Sequence, residues 1–491
     1  MYIVQVASEC APVAKVGGLG DVVYGLSREL QGRVNWVEVI LPKYDCMRYD
    51  QIWGLHKVYH DLWVPWYGGA VHCSVWFGEV YGIRCFFIEP HSADNFFQRA
   101  TFYGYPDEVR RFTFFSKAAL EFLLKSNRRP DILHCHDWQT GVLPVLLFEM
   151  YKFQGMGNAR VCYTIHNFKH QGVCGADVLA ATGLGRPGYY FHYDRMRDNF
   201  NPAALNLMKS GIVYSNFVTT VSPQYAWEAR YTDQGFGLAH TLAVHDPKFA
   251  GVLNGIDYEV WNPEIDRHLP EQYGPEDLEG KYRCKEALRD RLLLRKGFKP
   301  IISFIGRLDP QKGIHLIRHG LQFALDHGAQ FVLLGSSPEP GINAAFRQLK
   351  RQVNDNPDCH LELRYDEELS HLIYAGSDML IVPSLFEPCG LTQMIALKYG
   401  TVPVVRAAGG LVNTVFDRDY SDKPPEERNG YVFHHTDNRA LESALYRAIG
   451  LWNSYPDEFR KLMRNGMRYD FSWNHPGGHF MDIYRHIWAG W

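Results

Sequence analysis

The sequence has no apolar run approaching the roughly 20 residues that a helix needs to cross a bilayer, so no membrane-spanning segment and no membrane partner are expected. Its ten cysteines are scattered singly from Cys10 to Cys389, with no close pair at zinc or redox spacing. That pattern suits a reducing compartment. Charge of one sign is lacking too. The net charge is −3 at pH 7, which leaves no electrostatic case for nucleic acid or an acidic membrane. No repeat at a solenoid period and no low-complexity tract is visible. The chain starts MYIVQVASE, straight into a strand, without a basic leader or an apolar signal segment. The expected place is a cytosol, or an organelle once a leader has been removed.

At 491 residues the chain is too long for one ordinary core, and two domains are expected. A hydrophobic fraction of 46% and a charged fraction of 21% are those of a globular protein. Short apolar, β-prone runs alternate with helical patterns. Strands are expected at 2–7, 37–41, 83–88, 131–135, 161–165, 218–221 and 252–253. Residues 55–79 alternate around Gly68-Gly69, as an antiparallel hairpin inserted into the first domain does. The stretch 263–299 is charged, weakly apolar and carries Pro263, Pro270 and Pro275, so it reads as inter-domain. A second alternation follows, with strands near Ile301, Phe331, Leu361, Leu380 and Val402, helices at 439–451 and 457–467, and an aromatic-rich tail. The pattern predicts an α/β protein of two doubly wound, Rossmann-like parallel-sheet domains facing each other.

Polar residues gather where these strands end, and strand ends are where open α/β sheets bind ligands. Two islands dominate. FIGRLDPQKG (304–313) follows a buried strand with Arg307, a bidentate fork, and Lys312, a point charge, which together suit a diphosphate. PSLFEPCGLTQ (383–393) sets one carboxylate, Glu387, before a turn that opens a helix at Thr392, whose free N–H groups also suit phosphate. Near the amino terminus, KVGGLGDV (15–22) is a Gly-rich loop that permits close backbone approach, with Lys15 extending charge and Asp21 near a helix cap. Its glycines do not make GxGxxG, which argues against a dinucleotide cofactor. Further strand ends carry HCHDWQTG (134–141), His166 and Asn167 with the loop FKHQG, and Asn254-Gly255. No Asp/Glu pair with metal-like spacing accompanies the phosphate-binding residues, so basic side chains are expected in place of a divalent ion.

Taken together, KVGGLGDV, HCHDWQTG, TIHN, LNGID, GRLDPQKG and FEPCGLTQ resemble the bacterial glycogen synthases and plant starch synthases, retaining glycosyltransferases of the GT-B fold. KVGGLGDV and NFKHQG look most like the cyanobacterial synthases and the plant classes three and four. The resemblance implies two Rossmann-like domains around a deep cleft: 1–258 on the acceptor side and 300–470 on the donor side. Residues 259–299 would lie between them, and the 471–491 tail would pack back on the first. It implies transfer of glucose from ADP-glucose to the 4-hydroxyl at the non-reducing end of an α-1,4-glucan, such as glycogen, starch or malto-oligosaccharides, with retention and without a metal or other cofactor. It places such an enzyme in the bacterial cytoplasm, or in a plastid stroma or on a starch granule.

Carried over by motif, Arg307, Lys312 and Lys15 match the residues on the donor diphosphate, with Gly18 beside Lys15. Glu387 matches the acid near the glucosyl unit, and Cys389, Gly390, Leu391 and Thr392 the turn beneath sugar and phosphates. Tyr365 matches an aromatic on the adenine, His166 and Asn167 contacts to the glucosyl unit, and Asp137 and Trp138 the acceptor side. Asp21 and Asn254 fall in pocket-lining motifs. The catalytic set is thus Glu387, His166, Lys15, Arg307 and Lys312. Many retaining GT-B enzymes carry a second Glu where this chain has Ile395, and the synthases commonly lack that acid as well. The alternative is an inactive glucan-binding or scaffolding homologue. The joint presence of Lys15, Arg307, Lys312 and Glu387 speaks for the enzyme.

Overall fold

The computed structural model describes residues 1–353 and 355–490. The chain divides into two compact units, one of Met1–Gly255 with the segment from Trp473 onward, the other of Ile256–Ser472. No helix among the described residues is long and apolar enough to cross a membrane.

In the first unit the apolar strand Tyr2–Val6 lies at the centre of a nine-stranded sheet. Trp36–Pro42 and then Ile83–Pro90 pair outward on one side of it. On the other side lie Ile132–His136, Arg160–Ile165, Phe217–Thr220 and Phe249–Gly251, all parallel. The strand order therefore reverses between Tyr2–Val6 and Ile132–His136, the place where such sheets open a ligand crevice. Residues 55–79 do form an antiparallel pair, Trp53–Trp66 with Gly69–Val80, turning through Tyr67 and Gly68 at positive φ. The pair is not a separate insertion, because Gly69–Val80 also pairs with Ile83–Pro90 and extends the main sheet. The strand expected at 252–253 falls earlier, at Phe249–Gly251. The Val252 N–H still bonds the Thr220 carbonyl, and the ladder ends there.

The second unit holds six parallel strands in the order Cys359–Glu362, Gln330–Leu334, Ile301–Ile305, Met379–Val382, Val402–Arg406 and Tyr431–Phe433. Numbered along the chain this is 3-2-1-4-5-6, the dinucleotide-fold order, with its reversal between Ile301–Ile305 and Met379–Val382. Residues 259–299, read as inter-domain, belong to this unit. They carry the helix Glu279–Leu292, which packs on the helix Glu367–Gly376. Their charge misled because the side chains bury their stems and satisfy their heads internally. The Lys281 ammonium donates to the Ala375 carbonyl (2.9 Å) and the Thr401 hydroxyl (2.8 Å).

The tail is a helix, Asn474–Trp488, whose early Pro476-Gly477-Gly478 hides the periodicity. Its Phe480, Met481, Tyr484 and Ile487 join Ile3, Leu26 and Ile132 in the core of the first unit. The approach is close: a Cβ on Gly25 would sit 2.0 Å from the Trp473 indole nitrogen.

Candidate functional site

In the second unit the two islands meet because their strands are neighbours. Gly313 takes φ +72°, and a Cβ there would lie 2.2 Å from the Pro383 carbonyl, so the first island turns directly against the second. Gln311 stitches them twice: its carbonyl accepts from the Leu385 N–H (2.7 Å) and its amide donates to the Phe386 carbonyl (3.2 Å). Lys312 then reaches Glu387, Nζ to Oε2 2.6 Å, and the Ser384 hydroxyl donates to the same oxygen at 2.8 Å. Glu387 is 5% exposed and the Lys312 side chain 20%, so this is a largely buried ion pair with one open side. Behind it, Gly409 leaves no room for a Cβ, which would stand 1.9 Å from the Glu387 carbonyl. Arg406 donates Nε to the Ser384 carbonyl (2.7 Å) and Nη2 to that of Leu385, fixing the loop from the other side.

Cys389 and Gly390 are buried, and Leu391 and Thr392 half-buried. The turn they form is closed by the Gln393 amide, which donates to the carbonyls of Cys389 (3.1 Å) and Gly390 (2.7 Å). Arg307 faces solvent, its guanidinium 3.7 Å from Asp309. Tyr365 is 75% exposed in the loop after the edge strand Cys359–Glu362. Ile395, where other enzymes place an acid, is core.

The first unit gathers a different chemistry at its reversal. Lys15 is exposed and pairs with Asp21 at 2.7 Å, and Gly18 opens the helix Gly18–Gly32 beside it. The loop is tied down from beneath by buried Glu9, which accepts from Val16 N–H (2.8 Å), Gly17 N–H (3.1 Å) and the Tyr103 hydroxyl (2.7 Å). Burial pushes the Glu9 carboxyl above its usual range, against those three donors. Asp137 ends Ile132–His136 at φ +54°, a strained conformation for a residue with a side chain. Its carboxylate accepts from the N–H groups of His166 (2.7 Å) and Asn167 (3.4 Å). Burial pushes it up to about 7, and the two amides pull the other way.

His166 is half-buried, and its Nε2 lies 3.0 Å from Nδ1 of His136. Burial holds the His166 ring down to about 3, so it is neutral at physiological pH. The Asn167 side chain accepts from the Lys169 N–H (3.0 Å), shaping the loop beyond. Trp138 is only 7% exposed, edge-on to Phe112 and covered by Gly172, so little of its ring is open to a sugar. Asn254 is buried after the last strand of the sheet.

The structure thus joins Lys312 to Glu387 and the Cys389–Thr392 turn in one unit, and Asp137 to His166 and Asn167 in the other. Glu9, Gln311, Ser384, Gln393 and Arg406, which hold these groups in place, were not singled out in the sequence. Ser384 and Gln311 lie inside the two islands and could have been. Glu9 bonds N–H groups seven and eight residues on, Arg406 reaches back 22 residues to Ser384, and neither lies within the quoted motifs. Among the described residues, no three or more His, Cys, Asp or Glu side chains converge as a metal-holding group.

Residues 2–244 match the family described as starch synthase catalytic domain, and residues 285–465 match glycosyl transferases group 1. Glycogen synthase 1 of Synechococcus sp. (strain JA-3-3Ab) is 68% identical over 99% of both chains. A probable glycogen synthase 2 of Nostoc sp. (strain PCC 7120) is 66% identical over the full length of both. Among solved structures, the catalytic domain of starch synthase IV from Arabidopsis thaliana, bound to ADP and acarbose, superposes with a TM-score of 0.97 at 45% identity, over 99% of each chain. Two parallel-sheet units of this kind are the GT-B architecture. With its motifs, its two strand-order reversals and this full-length likeness, the chain belongs to the glycogen and starch synthase family of glycosyltransferases.

Proposed function

We propose that this glycosyltransferase moves the glucosyl unit of ADP-glucose to the non-reducing 4-hydroxyl of an α-1,4-glucan, with retention of configuration and without a metal. The observation that carries this reading is the Lys312–Glu387 pair at the strand-order reversal of the second unit. Lys312, Arg307 and Lys15 supply positive charge for the diphosphate as the glycosidic bond breaks, and preorganised charge of this kind is commonly the largest catalytic contribution. Glu387 and the His166 carbonyl face the positive, oxocarbenium-like sugar. Asp137 and Trp138 belong to the acceptor side, Asn167 to the glucosyl contacts, and Asn254 to the pocket lining. Tyr365 stacks on the adenine. The departing phosphate takes the proton of the acceptor hydroxyl on the face it leaves, and no enzyme nucleophile is required. Front-face substitution then preserves the anomeric configuration.

The ADP and acarbose held by the Arabidopsis starch synthase IV structure support a nucleotide donor and a glucan-like acceptor. The bacterial relatives support a cytoplasmic location. The reading is tested by following labelled glucose from ADP-glucose and from UDP-glucose into glycogen, with and without a strong chelator. Faster incorporation from ADP-glucose, untouched by the chelator and released as α-1,4-linked product, is expected. Equal use of the two donors would overturn the donor assignment. A chelator loss restored by magnesium or manganese would overturn the metal-free mechanism.

A further inference from the structure

The core of the first unit contains a chain of imidazoles that ends at His166. His134 and His136, two apart on Ile132–His136, project from one face of the sheet, fully buried, with ring centroids 4.3 Å apart. Each is engaged at both ring nitrogens. His136 meets Gln5 Oε1 through Nε2 at 2.7 Å and His166 Nε2 through Nδ1 at 3.0 Å. His134 meets the Tyr484 hydroxyl through Nδ1 at 2.7 Å and the Thr164 hydroxyl through Nε2 at 2.6 Å.

A neutral imidazole has one donor nitrogen and one acceptor nitrogen, so settling one contact settles the next. Burial keeps His134 and His166 at about 3 and His136 well below its usual value, so each ring carries a single proton at neutral pH. The Gln5 oxygen can only accept, which puts the His136 proton on Nε2. Nδ1 of His136 must then accept, which puts the His166 proton on Nε2. His166 Nδ1 is left as a bare acceptor, and among the described residues no protein group meets it.

The direction depends on which way the Gln5 amide points, since a reversed amide would reverse every bond after it. In the structure the Gln5 oxygen is the atom turned to His136, and the Gln5 Nε2 has no hydrogen-bond partner among the described residues. Beside this relay, Tyr484, His134, Thr164 and Thr219 form their own run of contacts at 2.7, 2.6 and 2.6 Å.

We propose that Gln5 and His136 are positioning residues that hold His166 in its Nε2–H tautomer, presenting Nδ1 as the acceptor for a hydroxyl of the donor sugar. This rests on the reading that His166 meets the glucosyl unit. It adds to that reading a polarity, acceptor and not donor, and names the residues that set it.

The tautomer is read directly in the full chain labelled with 15N-histidine. Expected is a His166 whose Nδ1 resonates as a bare, pyridine-like nitrogen and whose Nε2 resonates as a protonated, pyrrole-like one. The opposite pattern overturns the relay whatever the kinetics show, and this measurement needs no variant to fold. In kinetics, Gln5→Leu removes the acceptor that orients the relay. It is expected to lower kcat about tenfold, the worth of one hydrogen bond, with KM for ADP-glucose little changed. In a His166→Ala background the same change should cost nothing further, and a loss that persists there overturns the proposed route through His166. A His166→Ala enzyme with wild-type kcat overturns the sugar contact itself while leaving the nitrogen spectrum to report the tautomer, so the two failures are distinguishable.

Discussion

Both units gather their polar residues where the strand order reverses, yet they fill that place with opposite chemistry. The second unit uses charge: Lys312 and Glu387 form a pair 2.6 Å apart, braced by Ser384 and by the carbonyls that Arg406 holds. The first unit lines its reversal mostly with neutral, directional groups: three uncharged imidazoles and an Asp137 whose carboxyl is pushed toward neutrality. A diphosphate carries net charge and is held best by fixed charge. A sugar carries hydroxyls and is distinguished best by acceptors and donors of fixed direction. In the proposed reading, most of the charge for the diphosphate then comes from the second unit, and the directional contacts of His166 and Asn167 to the sugar come from the first.

The largest expected effect breaks the charged side. Glu387→Gln keeps an oxygen for Lys312 and Ser384, so the loop should stay folded, but it removes the negative charge. We expect kcat to fall by about two to three orders of magnitude, roughly 3–4 kcal/mol of transition-state stabilisation. Measuring kcat beside the thermal midpoint separates catalysis from structure. A variant that melts early yet turns over normally per folded molecule would make Glu387 a structural brace.

Ile395→Ala tests the apolar neighbour. With Ile395 only 6% exposed, truncation should cost roughly 2–5 kcal/mol of stability and leave the kcat of the folded fraction near wild type. Denaturant titration and active-site-normalised rates would show it. A kcat loss as large as that of Glu387→Gln would place Ile395 in the chemistry.

The neutral side is sharpened by pH. The unfolded chain protonates its histidines near 6.5, while the folded His134 and His166 wait until about 3. Between those values the unfolded state binds more protons. Stability from these rings is therefore complete above about pH 6.5 and is lost as pH falls, at up to roughly 1.4 kcal/mol per pH unit per ring. Asp137 works in the other direction, because its folded pKa of about 7 lets the native state hold an extra proton from about pH 4 to 7. Urea midpoints across this range should fall on acidification, and His134→Gln should flatten the slope by about one proton. An unchanged slope would mean that His134 is already charged in the fold.

The smallest expected effect concerns Tyr365. Tyr365→Ala should lower the preference for ADP-glucose over UDP-glucose by about two- to tenfold, the range of one aromatic contact. Comparing kcat/KM for the two donors checks it, and an unchanged ratio would remove Tyr365 from base recognition.

Much of the fold was legible because parallel strands buried on both faces read as short apolar runs, and turn residues punctuate them. Two misreadings share one cause. The hairpin at 55–79 and the charged stretch 259–299 look local in sequence, while their placement depends on distant partners, as does that of the 471–491 tail, which packs on the first unit as expected. Gly69–Val80 joins Ile83–Pro90, Lys281 reaches Thr401, and Tyr484 packs among the core of the first unit. Tyr431–Phe433, at three residues, is too short to show a period.

The sequence by itself determined the alternating α/β architecture and the identity of the charged residues at strand ends. Those features depend on spacing along the chain, within a strand and the turn that follows it. Only the tertiary structure decided which strands are neighbours, and so that Lys312 meets Glu387 across 75 residues and that Gln5 meets His136 across 131. It also decided which groups are charged. The sequence shows His134, His136, His166 and Asp137 as ordinary titratable side chains. Burial in the sheet disfavours the ionised form of each, and that desolvation does not exist until the chain has folded.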